Sequence, residues 1–304
     1  MALVVGCNYP GVPGYVLHGC HNDALAMREV LITRFGFDSK HVELVIDKPG
    51  SPIMPTGANI KRALNKMIDR AEQGDVLFFH FSGHGMLIQP PYAPKEEEVI
   101  IASDKNIITS VDFRQLVNRV PKGATFTILA DSCQSGGLID KEKEQIGPDT
   151  TPRNPNNTKP RMIPFQSFLQ YFTSLTGNTS TDIGTHMVQV FGDDASLMFH
   201  DDPIKTSLRP LKPDEGILLS GCQKDEYSDD LTENVVKPCG AFSNAVQMVL
   251  KENPGRGLSN REIVMMARKI LKRQENEDQH PCLYCSDRNA NAVFLGIPTN
   301  PPHA

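Results

Sequence analysis

The chain has 304 residues, 39% of them hydrophobic, and a formal net charge of −5, which is length enough for one large core or two small ones. The acidic balance leaves no basic footprint for nucleic acid or an anionic membrane, and no apolar run approaches the ~18 residues needed to cross a bilayer. Residues 1–20 carry neither a basic stretch nor an apolar leader-like run, and seven cysteines are thinly spread, so the expectation is a soluble protein of a reducing, cytoplasmic compartment without a disulfide framework.

Short apolar runs alternate with helical patterns over residues 1–131. Strands are predicted at Leu3–Gly6, Val42–Ile46, Val76–Phe81, Val99–Ala102 and Thr125–Asp131, and helices at Asn22–Phe35, Ala58–Ala71 and Val111–Asn118. This alternation predicts an α/β fold with a mostly parallel central sheet flanked by helices. In such sheets ligands bind beyond the carboxyl ends of the strands. The pattern breaks at Lys141–Arg161, a charged and polar stretch with Pro148, Pro152, Pro155 and Pro160, which predicts an exposed flexible linker. Helices follow at Ile163–Leu175 and Asp182–Phe191, then a loose stretch at Phe199–Asp214. Regular structure resumes with a strand at Gly216–Cys222 and a helix at Ala241–Glu252. A further helix at Arg261–Gln274 carries a capping box of Ser259 and Glu262. The last strand is expected at Val293–Leu295 or Pro281–Ser286, and Pro298–Ala304 as a disordered tail. The division is therefore residues 1–140, a connecting region at 141–214 with some helix, and a smaller region at 215–304 completing the same sheet.

Two signatures carry chemistry. His80-Phe81-Ser82-Gly83-His84-Gly85 ends one apolar strand and Asp131-Ser132-Cys133-Gln134-Ser135-Gly136-Gly137 ends another, with His84 and Cys133 49 residues apart. A thiolate nucleophile needs an imidazole close by to handle protons and backbone N–H groups aimed at the oxyanion. Glycines beside both residues permit close approach of backbone and substrate. A histidine about 50 residues before such a cysteine is the caspase spacing. His80 ends its strand and is expected to be structural, as are Cys7, Cys222 and Cys239.

Collinear with these are Val5-Gly6-Cys7-Asn8-Tyr9-Pro10, His18-Gly19-Cys20-His21-Asn22-Asp23-Ala24, Pro55-Thr56-Gly57-Ala58-Asn59-Ile60, Ser220-Gly221-Cys222-Gln223, Gly240-Ala241-Phe242-Ser243-Asn244 and His280-Pro281-Cys282-Leu283-Tyr284-Cys285-Ser286-Asp287. Over essentially its whole length the chain resembles the type II metacaspases of plants. The resemblance implies a caspase–haemoglobinase fold, with residues 1–140 corresponding to the large subunit and 215–304 to the small one. It implies Cys133 as nucleophile, His84 as general acid–base, Gly85 and Cys133 as oxyanion-hole donors, and a monomer. Gln134 stands where the family usually has His, and Phe81 where Tyr is commoner; neither change removes a catalytic atom.

Asp131, two residues before Cys133, and Asp23, early in the first predicted helix, would suit a guanidinium or ammonium. By resemblance the first specificity pocket is lined by Asp23, Asp131, Ser82 and Cys20. Cleavage after Arg or Lys in protein or peptide substrates is therefore expected, with none after Asp. Type II metacaspases are zymogens cut after a basic residue of the linker; of Lys141, Lys143, Arg153, Lys159 and Arg161, the expected bond is Arg161–Met162. The resemblance also implies a role in cell death or stress, and it leaves location in the nucleus or release on cell damage open. No cofactor is expected. Little or no calcium dependence is expected: the chain keeps Glu96-Glu97-Glu98 and Asp112, but Ser110-Val111 follows Ile108-Thr109 where the family usually has an Asp cluster. His280, Cys282 and Cys285 form at most half a zinc site and are expected to be structural. The rival reading is a weak or inactive homologue that acts as a scaffold for basic peptides.

Overall fold

In a computed structural model, residues 1–12, 14–89, 96–139, 143–147, 159–200, 216–223, 226–232, 235–274, 276 and 279–296 are described. The expected tail at 298–304 and the candidate processing residues Lys141 and Arg153 lie outside them.

Among the described residues thirteen strands form: β1 (Ala2–Gly6), β2 (Val42–Ile46), β3 (Val76–Ser82), β4 (Gly85–Ile88), β5 (Glu97–Ile101), β6 (Ile107–Thr109), β7 (Thr125–Asp131), β8 (Glu144–Ile146), β9 (Lys159–Pro160), β10 (Ile217–Ser220), β11 (Asp229–Leu231), β12 (Cys239–Gly240) and β13 (Cys282–Tyr284). The helices are α1 (Cys20–Thr33), α2 (Gly57–Asp69), α3 (Ser110–Val117), α4 (Phe165–Thr176), α5 (Ile183–Phe191), α6 (Ala241–Glu252), α7 (Asn260–Arg273) and α8 (Asp287–Asn291). Among them α2, α3 and α7 start at side-chain caps. Thr56 accepts from Asn59 N–H ahead of α2, and capping boxes of Thr109 with Asp112 and of Ser259 with Glu262 open α3 and α7.

The central sheet has seven strands in the order β2-β1-β3-β7-β10-β13-β8. The run from β2 to β10 is parallel, whereas β13 is antiparallel to both β10 and β8. Alternate residues of β1 separate two cores: Leu3 and Val5 join the side covered by α2, α3, α4 and α5, and Ala2 and Val4 join the side covered by α1, α6 and α7. The fold class is thus the expected one.

Two local expectations differ. The strand predicted at Val99–Ala102 lies in a second sheet, β4-β5-β6, antiparallel throughout, because a short buried run does not specify which sheet it joins. Of the two alternatives for the last strand, the one at Pro281–Ser286 forms, as β13. Within the stretch expected as exposed linker, β8 pairs with β13 and β9 pairs with β11; polar composition does not register backbone pairing. No helix among the described residues is long and apolar enough to cross a membrane.

Candidate active site

His84 and Cys133 follow β3 and β7, which pair in parallel from Val76↔Thr125 to Ser82↔Asp131, so both leave the sheet at the carboxyl ends of adjacent strands. Both side chains are buried. His84 Nε2 lies 2.7 Å from the Tyr15 carbonyl oxygen. A carbonyl only accepts, so this nitrogen carries the hydrogen, and in the neutral ring Nδ1 holds the lone pair. The Cys133 thiol packs on the segment before β11: Ser228 N–H donates to Sγ at 3.1 Å, and the thiol donates to the Ser228 carbonyl at 3.4 Å. Burial pushes the Cys133 thiol well above its ordinary range, with the Ser228 contact opposing, so it is held neutral here.

The charge of Arg161 lies near the cysteine; among the described residues this arginine has the largest fully buried side chain, a clear departure from the exposed linker expected there. Its Nη1 donates to Ser82 Oγ at 2.7 Å and to the Asp131 carbonyl at 3.2 Å. Its Nη2 donates to Asp23 Oδ2 and to Asp230 Oδ1, each at 3.0 Å, and Asp131 Oδ1 lies 3.6 Å from Nη1. Desolvation opposes the guanidinium charge, but Cys20, Asp131, Asp23 and Asp230 together raise the Arg161 pKa well above its usual value. Burial likewise pushes the Asp23 carboxyl up, with the Arg161 guanidinium opposing. The carboxylates are themselves held. Asp23 accepts from Ser82 Oγ at 2.7 Å and from Gly240 N–H at 2.9 Å. Asp131 accepts from Ser243 N–H at 2.7 Å and from the Ser228 hydroxyl. Asp230 accepts from His18 and Gly19 N–H at 2.9 and 3.1 Å.

The main chain of Arg161 is engaged as well. Its N–H donates to the Ser228 carbonyl at 2.8 Å, and its carbonyl accepts from Gly85 N–H at 3.1 Å. Met162 forms an isolated bridge with Gly85. A Cβ on Gly85 would collide with the Cys133 carbonyl oxygen, so only glycine can present its N–H there. Residues 159–161 thus cross the cleft as a strand added to β11.

Of the residues expected from sequence, Asp23, Ser82 and Asp131 surround one guanidinium, and Gly85 reaches the Arg161 carbonyl. Cys133 N–H makes no such bond to that oxygen among the described residues. Cys20 opens α1, buried, with its N–H on Asn8 Oδ1 at 3.0 Å; burial pushes its thiol up and the nearby Arg161 charge pulls it down. Sequence reading missed Asp230, Ser228 and Gly240. The adjacent acids Asp229-Asp230 are a visible signal, but a three-residue strand has no periodicity to place it.

The acids considered for calcium are engaged with protein donors. Ser110 Oγ donates to Glu97 at 2.8 Å, Gly137 N–H donates to Glu98, and Asp112 accepts from Thr109 N–H at 2.9 Å and Leu197 N–H at 3.1 Å. Calcium wants six to eight oxygens, and among the described residues no group of three or more His, Cys, Asp or Glu is placed to hold a metal ion. His280 Nδ1 lies 2.7 Å from Glu226 Oε1, and Cys282 and Cys285 are buried thiols.

Residues 1–293 match the caspase domain family. The chain is 50% identical to Metacaspase-9 of Arabidopsis thaliana, over 98% of this chain and 97% of that protein. It is 33% identical to Metacaspase-6 of the same plant, over 97% and 99%. Identity to Metacaspase-1 of Schizosaccharomyces pombe is 28%, over 94% of this chain and 67% of that protein. The fold is similar to a crystal structure of a Geobacter sulfurreducens protein, with a TM-score of 0.66 at 19% identity over 98% of both chains.

Proposed function

The chain belongs to the caspase-domain family and within it to the plant metacaspases, caspase-like cysteine proteases, and from that premise we propose that it cleaves after Arg or Lys and first cuts itself at Arg161–Met162. The observation that carries this reading is Arg161 seated among Asp23, Asp131, Asp230 and Ser82 with its carbonyl on Gly85 N–H. Carboxylates at this density favour a cation and repel an Asp side chain.

In the proposed reaction Cys133 loses its proton to His84 Nδ1 and Sγ bonds to the carbonyl carbon of Arg161. The oxyanion is held by Gly85 N–H, a donor whose loss typically lowers the rate by ~10²–10³. The C–N bond then breaks as His84 returns the proton to the Met162 amine, and water hydrolyses the thioester. The Tyr15 carbonyl keeps the other nitrogen protonated throughout, which holds His84 in one tautomer. We propose weak calcium dependence, supported by the engagement of Glu97, Glu98 and Asp112 with protein donors.

Intact mass spectrometry of the wild-type chain beside Cys133→Ala, with and without Ca²⁺, tests the reading. Fragments 1–161 and 162–304 in wild type alone are expected, in both conditions. An uncut wild type that also leaves an Arg peptide intact would favour a basic-peptide scaffold, and cutting only with Ca²⁺ would overturn the calcium proposal.

A further inference from the structure

Tyr9, just after β1, has a left-handed backbone with φ 52°, a conformation a bulky residue keeps only where its surroundings impose it. The restraint comes from Asp47, just after β2 and buried. Its Oδ1 accepts from Asn8 N–H at 2.8 Å and its Oδ2 from Tyr9 N–H at 2.7 Å. His21 of α1 closes on the same carboxylate, with Nε2 at 2.5 Å from Oδ1.

Held in this way, the Tyr9 side chain reaches His84 by three routes. Its hydroxyl accepts from His84 N–H at 2.9 Å. The same hydroxyl donates to the Ile101 carbonyl at 2.6 Å, and Ile101 N–H donates back to the His84 carbonyl at 3.0 Å. The phenol ring lies against the imidazole, with centroids 4.7 Å apart and planes at 37°. Burial pushes the phenol well above its ordinary pKa, so it remains a hydroxyl able to donate and accept together. A Cβ on Gly83 would come within 2.7 Å of the Tyr9 hydroxyl, so this approach requires glycine. The imidazole is therefore bounded on its face and backbone by Tyr9 and at Nε2 by Tyr15 of the same loop.

We propose that Tyr9, clamped by Asp47, is a positioning residue that sets the imidazole plane of His84 for proton transfer with Cys133. This rests on the proteolytic reading above. Among the described residues the hydrogen bonds of Tyr9 go to Asp47, Ile101 and His84 and those of the Arg161 side chain to Ser82, Asp131, Asp23 and Asp230, so the effect of Tyr9 should fall on kcat rather than on KM.

The test compares wild type with Tyr9→Phe, which keeps the ring and removes the hydroxyl, and with Asp47→Asn, which keeps the shape of the clamp. Each is assayed on an Arg peptide, and the histidine ring nitrogens are followed by ¹⁵N NMR. The expected result is a fall in kcat of roughly 10–100-fold with KM within about twofold of wild type, accompanied by a displaced His84 resonance. The double variant should lose less than the product of the two single losses, because both act through one group. Tyr9→Phe with kcat within twofold of wild type, or with KM raised at unchanged kcat, would overturn the proposal. If Tyr9→Phe does not fold, Asp47→Asn decides by the same criteria. A wild type inactive on the Arg peptide would refute the proteolytic reading instead; the His84 resonance in Tyr9→Phe would then still decide positioning, an unmoved signal counting against it.

Discussion

The two terminal nitrogens of Arg161 are read by different partners, Nη1 by Ser82 and the Asp131 carbonyl and Nη2 by Asp23 and Asp230, while Nε makes no hydrogen bond among the described residues. A lysine brings one ammonium and cannot serve both sides at once, so Arg peptides should be turned over faster than Lys peptides. Asp230 is the member of this set that sequence reading missed. Asp230→Asn removes one charge from a desolvated cluster, a change worth ~2–5 kcal/mol, or about thirtyfold or more in kcat/KM for an Arg peptide. Peptides differing only at the residue before the cut measure both effects; unchanged kcat/KM on Arg in Asp230→Asn would remove it from the pocket. Asp23 and Asp131 were legible because each adjoins a motif with its own signal. Asp230 was not, because only pairing with the segment ending at Arg161 brings it to the guanidinium.

At the scale of elements, β3 and β7 are strongly apolar and were readable, and they alone set where His84 and Cys133 emerge. The pieces that complete the cleft, β9, β11 and β12, are two or three residues long and have no period to detect. One readable strand also carries a buried polar group: His80 of β3 contacts Ser243 Oγ of α6 at 3.1 Å. Burial lowers the His80 pKa from 6.5 to about 4, the Asp131 charge opposing. The unfolded chain takes up this proton near pH 6.5 and the folded one only near 4, so the unfolded state binds more protons between them and stability falls as pH drops through that window. The whole effect is ~3 kcal/mol and is fully present above the window. Urea unfolding of Cys133→Ala from pH 7 to 4.5 should show it, and adding His80→Asn should flatten the pH slope. Identical slopes in the two proteins would place the linkage elsewhere.

For the whole molecule, the order β2-β1-β3-β7-β10-β13-β8 interleaves the pieces on either side of Arg161: β10 and β13 come from the second piece and lie between β7 and β8 of the first. Cutting at Arg161–Met162 should therefore leave one particle of the intact chain's mass in native size exclusion, with the pieces parting only in denaturant. Separation without denaturant would contradict this. Sequence alone determined the α/β class, the alternating core strands, most helices, and the motifs holding Cys133, His84, Asp23 and Asp131, because each of these is written in neighbouring residues. Tertiary structure decided that Val99–Ala102 joins a second sheet, that Arg161 is buried rather than solvated, and that Asp230, Ser228 and Tyr9 converge on the cleft. Those outcomes depend on pairings between segments up to 212 residues apart, as between His18 and Asp230, for which local hydrophobic period carries no information.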